Sequence, residues 1–129
     1  MHFALDIREA WQDDVSDIVI NGVVGPAGDG YEAGTITDAE TAQRIHTPQI
    51  HELAASGVAM ISAITMTGIP EAIGIARAAK AEGLPSVISF TVETDGRLPS
   101  GDPLGEAIEA VDRATDAAPA YYLVHCAHP

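Results

Sequence analysis

The sequence predicts an α/β fold with a parallel β-sheet, and three observations support this prediction. Four short apolar runs alternate with four helical segments along the 129 residues. The runs are apolar throughout, which is typical of parallel strands buried on both faces. Their starts are separated by roughly 30 to 40 residues, about the length of one βα unit. We therefore expect a single domain over residues 1–129, ordered α-β-α-β-α-β-α-β, with helices covering both faces of the sheet.

The first half of the chain begins with a helix over residues 3–12, where apolar residues partly follow a helical stripe. Residues 17–24 (DIVINGVV) are β-branched and predict a buried strand, which the glycine-rich loop 25–30 follows. The sequence TDAE at 37–40 fits a capping box, so we expect the Thr37 hydroxyl to begin the next helix. Pro48 is expected to restart or kink that helix.

The later elements follow from the same patterns of apolar residues, proline and glycine. Gly57 and Gly83 are placed to end helices in a left-handed conformation. The predicted elements are, in chain order, a strand at 58–67, a helix at 71–82, a strand at 86–92, a polar loop at 93–102, a helix at 104–116 and a strand at 121–126.

The acidic composition excludes some classes of partner. Nineteen acidic and six basic side chains give a net charge of −13. This balance argues against nucleic acid, whose phosphates need a basic face, and against anionic membranes. A single cysteine excludes an internal disulfide and fits a reducing cytoplasm. We expect no signal peptide, because acidic residues interrupt any apolar core near the N-terminus, and no membrane span, because no apolar stretch approaches roughly 18 to 20 residues.

The number of strands leaves two architectures open. Four strands could form a complete open sheet, or they could form half of a closed barrel. A (β/α)8 barrel takes about 250 residues, roughly twice this length.

Several segments together resemble the homocysteine S-methyltransferase family, which includes betaine–homocysteine and S-methylmethionine–homocysteine methyltransferases. They occur in the family's order and cover nearly the whole chain. The matching segments are 21–31 (NGVVGPAGDGY), 46–50 (HTPQI), 70–76 (PEAIGIA), 88–107 (ISFTVETDGRLPSGDPLGEA) and 124–129 (VHCAHP).

The resemblance implies about the third to sixth strands of a (β/α)8 TIM barrel. In the family, zinc held by three cysteine thiolates binds homocysteine, whose thiol takes a methyl group from a sulfonium or ammonium donor to give methionine. Cys126 matches the first zinc cysteine, and the later adjacent pair has no counterpart here. We therefore expect a central fragment of such an enzyme, weakly active or inactive alone.

Two positions depart from the family pattern. His125 stands where the family usually has asparagine before its first zinc cysteine. Ile64 stands where many members have a glutamate that holds the substrate's amino group. Both departures leave the identity of the methyl acceptor open.

The candidate substrate-binding residues lie near strand ends: Asn21, Thr65, Thr91 and Glu93, with Thr67 as a further candidate. Each is also consistent with a turn or packing role. Cys126, the candidate metal ligand, is equally consistent with a small buried hydrophobe. A local zinc site with His125 and His128 is a further alternative.

Two other groups of residues have plain structural interpretations. The loop at 25–30 lacks a phosphate-binding fingerprint and is interpreted as a βα turn. His46 and His51 flank a helix start and are expected to be exposed to solvent.

Three functional hypotheses follow. The first is a zinc-dependent methyltransferase acting on a small-molecule thiol. The second is a non-catalytic half-barrel that pairs with itself or with a complementing chain through edge strands at 18–24 and 121–126. The third is a complete flavodoxin-like domain that binds a small anion near the loop at 25–30.

Overall fold

Helices and strands alternate along residues 1–125, the part of the chain that this computed structural model describes. The predicted order is confirmed. The elements are α1 (His2–Trp11), β1 (Asn21–Val24), α2 (Ala39–Ala55), β2 (Met60–Met66), α3 (Ile69–Ala81), β3 (Ser86–Thr91), α4 (Leu104–Thr115) and β4 (Pro119–His125). No helix in this part of the chain has the length and apolar character needed to cross a membrane.

The four strands form one parallel sheet in the order β1-β2-β3-β4. Helix α3 packs between α2 and α4, so the three connecting helices form one layer. Strands in sequential order with their connections in a single layer are the arrangement of a βα barrel. A flavodoxin-like sheet has a reversal in strand order, so the flavodoxin-like hypothesis is wrong for the described residues.

The core lies between the sheet and this helix layer. Alternate strand residues fill it, and Val24, Ile61, Ile88 and Phe90 are fully buried there. The Phe90 ring stacks on Tyr122 with a centroid separation of 6.3 Å. The prediction that helices cover both faces is therefore wrong, because the three connecting helices cover only one.

The opposite side, which we call the open face, carries the alternate residues of the strands, among them Asn21, Val23, Ser62, Val87, Ser89, Thr91, Tyr121, Leu123 and His125. Val23, Tyr121 and Leu123 are about half exposed, at 51%, 50% and 44%. In a closed barrel this face would line the interior, where side chains pack against the remaining strands.

Helix α2 begins at a different cap from the predicted one. Asp38 is the N-cap, and its Oδ1 accepts a hydrogen bond from the Thr41 amide at 2.7 Å. The Thr37 cap is therefore wrong, because the helix begins one residue later. The helix continues through Pro48 rather than restarting there.

The other boundaries agree with the sequence patterns to within a few residues. Strand β1 is shorter than predicted and begins at Asn21 rather than at residue 17. Gly57 and Gly83 follow their helices with φ of 91° and 72°, which confirms the predicted left-handed endings.

Candidate functional site

The loop at 25–38, between β1 and α2, lies over the carboxyl ends of β2 and β3. The Thr91 hydroxyl donates a hydrogen bond to the Gly30 carbonyl oxygen at 3.0 Å. Gly30 also lies so close to Thr65 that a Cβ added to this glycine would be 2.8 Å from the threonine Oγ1. Two of the predicted site residues, Thr65 and Thr91, therefore meet around Gly30.

Thr65 has an uncommon backbone conformation. Its φ of 53° is left-handed, which is unusual for a β-branched residue. The register between β2 and β3 shifts between Ala63 and Met66, so Thr65 lies at an irregularity of the strand. Strained backbone at the carboxyl edge of a sheet is typical of functional sites.

The structure places the other predicted substrate residues away from this cluster. Asn21 is the first residue of β1, at the amino edge, and its Nδ2 donates to the Ser62 hydroxyl at 2.6 Å. Glu93 is exposed, and its amide bonds the Arg97 carbonyl at 2.8 Å. Cys126 and His128 lie outside the described residues.

His125 ends β4 on the open face. Its Nδ1 contacts the Ser89 hydroxyl, and its carbonyl oxygen accepts a hydrogen bond from the Val92 amide at 3.2 Å. These contacts connect the carboxyl ends of β3 and β4. His125, one of the two residues that depart from the family pattern, therefore lies at the edge where βα barrels place their sites.

A buried pair of ionisable side chains was missed by the sequence analysis. His46 Nε2 lies 2.7 Å from Glu71 Oε1, and both residues are only 4% exposed. The same carboxylate oxygen accepts a hydrogen bond from the Ala27 amide at 2.6 Å. Glu71 therefore connects α3 to α2 through His46 and to the loop at 25–38 through Ala27.

The prediction that His46 is exposed is wrong, because α3 covers the face of α2 that carries it. Ala42 and Ile50, four residues before and after His46, are also buried. This i, i+4, i+8 stripe was the signal in the sequence that indicated a buried histidine.

His51 lies one residue past that stripe and is exposed, as expected. Its Nδ1 is 2.9 Å from Glu82 Oε1, and this hydrogen bond raises the pKa of His51 above its usual value.

The described residues do not by themselves fit a metal centre. Within residues 1–125 no group of three or more His, Cys, Asp or Glu side chains is placed to hold a metal ion. His125 already uses Nδ1 in its contact with Ser89. A metal at this edge would therefore depend on Cys126 and on ligands beyond the described part of the chain.

Comparison with known structures identifies the barrel. Homocysteine methyltransferase MmuM from Escherichia coli matches in its apo form with a TM-score of 0.75 and 21% identity, covering 95% of this chain and 45% of that chain. The metallated form of MmuM matches with a TM-score of 0.77 and 21% identity, covering 90% and 44%. The matched structures are TIM-barrel methyltransferases, so the four βα units of this chain correspond to about half of such a barrel.

Comparison of sequences places the chain in a family. No curated protein sequence matches it significantly. The family model described as homocysteine S-methyltransferase matches residues 1–129, which is the whole chain. The segments that resembled this family in the sequence are thus part of a match that extends from end to end, and the chain belongs to the homocysteine S-methyltransferase family.

Proposed function

We propose that this chain contributes to the transfer of a methyl group from a sulfonium or quaternary ammonium donor to a thiol, with homocysteine as the acceptor and methionine as the product. The observation that supports this most directly is the cluster of Thr65 and Thr91 around Gly30. It lies at the carboxyl edge, where (β/α)8 enzymes carry their active sites. Family membership supplies the reaction class.

Among the predicted substrate residues, the geometry favours Thr65 and Thr91 as contacts for a small ligand. Both lie under the loop at 25–38, which can exclude water from a bound substrate. Asn21 and Glu93 lie elsewhere, at the amino edge and in an exposed turn. We therefore expect substitutions at Thr65 and Thr91 to weaken substrate binding more than substitutions at the other two.

This expectation is tested by ligand binding to the 129-residue chain. Homocysteine, S-methylmethionine and betaine are titrated while backbone amide resonances are followed by NMR. We expect saturable shifts at Gly30 and Thr91 and weaker binding in Thr91→Val, whereas Asn21→Ala serves as the control. Shifts confined to residues away from the carboxyl edge, or no shifts with any of the three compounds, would contradict the proposal.

Turnover by the 129-residue chain is expected to be slight. The edge strands of the open face are half exposed at Val23, Tyr121 and Leu123, so water can reach a substrate bound beside them. The assay supplies homocysteine, S-methylmethionine and zinc and measures methionine. Formation of methionine at enzyme-like rates would show that the chain assembles a complete site.

We further propose zinc as the metal and Cys126 as one of its ligands. Cysteine thiolates are preferred zinc ligands. A bound zinc ion would also hold a thiol substrate in its thiolate form. Cobalt is a spectroscopic substitute with visible thiolate-to-metal absorption. We expect this absorption in the wild-type chain at saturating cobalt and its loss in Cys126→Ser. If the wild-type chain shows no such absorption, Cys126 is not a metal ligand in this chain.

An alternative function is a non-catalytic half-barrel that pairs with a second copy. The half-exposed apolar residues Val23, Tyr121 and Leu123 on the open face favour this alternative. Strands β1 and β4 are the sheet edges and offer unpaired backbone groups to another chain. Light scattering distinguishes the cases, since a monomer with a cooperative melting transition would exclude pairing.

A further inference from the structure

Two hydrogen bonds from different elements fasten the loop at 25–38 to the rest of the fold. The Ala27 amide donates to Glu71 Oε1 at 2.6 Å, and the Gly30 carbonyl oxygen accepts from the Thr91 hydroxyl at 3.0 Å. The loop contains neither helix nor strand, so no regular ladder of backbone hydrogen bonds fixes its path. Its position over the carboxyl edge therefore depends on contacts of this kind.

The hydrogen bond at Ala27 comes just before the point where the loop reaches the site. Gly28 and Asp29 lie between Ala27 and Gly30 in the chain. A Cβ added to Gly28 would meet no atom within 4 Å, so close packing does not constrain the chain there. The hydrogen bond to Glu71 therefore controls the direction from which Gly30 approaches Thr65.

The Glu71 side chain is itself held from two sides. Only 4% of this residue is exposed, and its Oε1 also lies 2.7 Å from His46 Nε2. Glu71 belongs to the first turn of α3, where the partial positive charge of the helix amino end stabilises a carboxylate. The carboxylate is thus fixed by α2 and by its own helix before it contacts the loop.

Helix packing alone does not account for a buried glutamate–histidine pair. Other buried residues of the two helices are apolar, among them Ala42, Ile50, Ala72 and Ile75. Replacing a buried polar pair by apolar side chains of similar volume is often neutral or even stabilising. An apolar side chain, however, could not accept the hydrogen bond from the Ala27 amide. The carboxylate therefore supplies the loop with something that the packing of α2 on α3 does not need.

We propose that Glu71 is a positioning residue for the site at the carboxyl edge. Its carboxylate holds the loop at 25–38 over Thr65 and Thr91, and His46 orients that carboxylate from α2. The inference rests on the proposed function for the identity of the ligand. The position of the loop can be measured without any ligand.

The first test compares two substitutions of Glu71 by NMR. Glu71→Leu removes the acceptor, and we expect the Ala27 amide to exchange with water at least about tenfold faster, the loss of one hydrogen bond to a charged group. Order parameters from ¹⁵N relaxation should fall between Ala27 and Gly30. Glu71→Gln keeps an oxygen that accepts the same bond and should retain most of the order. An equal loss of order in Glu71→Gln would overturn the inference.

A double variant separates the position of the loop from the stability of the fold. Glu71→Leu leaves His46 buried without its partner, which lowers stability. His46→Leu/Glu71→Leu replaces the whole pair by apolar side chains and should melt near the wild-type temperature or above it. We expect this folded variant to show the same loss of order between Ala27 and Gly30. Wild-type loop order in it would overturn the inference.

His46→Leu is the matched control. It removes the contact with α2 but keeps the hydrogen bond from Ala27 to Glu71, so the loop should lose much less order than in the double variant. An equal loss in both would show that the packing of α2 on α3, and not the carboxylate, positions the loop.

Ligand binding then connects the loop to the site. Homocysteine, S-methylmethionine and betaine are titrated into the wild type, Glu71→Gln and the double variant. We expect the affinity of the compound that the wild type binds to fall about tenfold in the double variant and to change little in Glu71→Gln. Unchanged affinity in a variant with a released loop would overturn the positioning role. A wild-type chain that binds none of the three would count against the proposed function, while the loop measurements would still decide this inference.

Discussion

At the scale of single residues, the close approach of Gly30 to Thr65 determines how the loop at 25–38 lies on the sheet. A side chain at Gly30 would overlap Thr65, with Cβ distances of 2.8 Å to Oγ1 and 3.1 Å to Cβ. Contacts this short require the loop or the strand to move. The glycine is therefore needed for space.

We expect Gly30→Ala to lower the free energy of unfolding by about 1–3 kcal/mol, the usual cost of overpacking. Gly28→Ala is the matched control, since its Cβ would meet no atom within 4 Å, and it should have little effect. Urea unfolding measures both variants. A double-mutant cycle with Thr65→Gly should recover most of the loss at Gly30, and independent effects of the two substitutions would contradict the contact.

The sequence made Thr65 and Thr91 candidates for a site, but it did not indicate that both contact Gly30. Residues at the carboxyl ends of neighbouring parallel strands share an edge, so their proximity was predictable. The left-handed φ of Thr65 was not, because the sequence signal for that conformation is glycine. Asn21 lies at the amino edge because β1 begins at this residue, which the β-branched pattern from residue 17 did not indicate.

At the scale of elements, the beginning of α2 depends on a single carboxylate. The Thr41 amide bonds Asp38 Oδ1, and this bond is the main reason that the pKa of Asp38 lies below its usual value. A carboxyl group with a lowered pKa stabilises the fold above its unfolded pKa and loses that contribution as the pH falls through the folded value.

We expect Asp38→Ala to lower the melting temperature by a few degrees at neutral pH. Thr37→Ala, the control at the position where the capping box was predicted, should have almost no effect. The deficit of Asp38→Ala should shrink as the pH is lowered below about 4, where aspartate becomes protonated. A larger deficit for Thr37→Ala, or one that is independent of pH, would argue against the observed cap.

The packing of α2 on α3 depends on a glycine in the middle of α3. A Cβ on Gly74 would lie 2.5 Å from the Ala42 Cβ and 2.5 Å from the Gln43 backbone nitrogen. The two helices therefore pack backbone to backbone at this point, which also brings His46 to Glu71.

Gly74→Ala should lower the free energy of unfolding by about 1–3 kcal/mol, because α2 has to move away from α3. Gly105→Ala in α4 is the matched helical control, since its Cβ would enter open space. Alanine has the higher helix propensity, so the control should be neutral or slightly stabilising. Thermal melts followed by circular dichroism measure both, and equal effects of the two changes would contradict the close packing.

At the scale of the whole molecule, the net charge of −13 opposes folding by self-repulsion. Raising the salt concentration from about 10 mM to about 100 mM shortens the Debye length from roughly 30 Å to roughly 10 Å. The melting temperature should therefore rise across this range. Sodium and potassium chloride should give the same rise, since screening does not depend on the cation, and a fall with salt would contradict this account.

The architecture as a whole was predictable in part. Apolar runs and helical stripes are local properties, and they predicted every element within a few residues. The prediction of helices on both faces was wrong. Apolar strands indicate that both faces of a sheet are buried, but they do not show whether helices or other strands bury each face. Val23 and Leu123 show the difference, since both are apolar strand residues on the open face.

The sequence by itself determined the order of elements, the acidic surface and the family, because these follow from local patterns and from matching segments along the chain. The tertiary structure alone decided the single helix layer, the burial of His46 against Glu71 and the meeting of Gly30 with Thr65 and Thr91. The contacts of each of these three groups join residues from 25 to 61 positions apart. Such contacts depend on how elements pack, and no local pattern of residues specifies that packing.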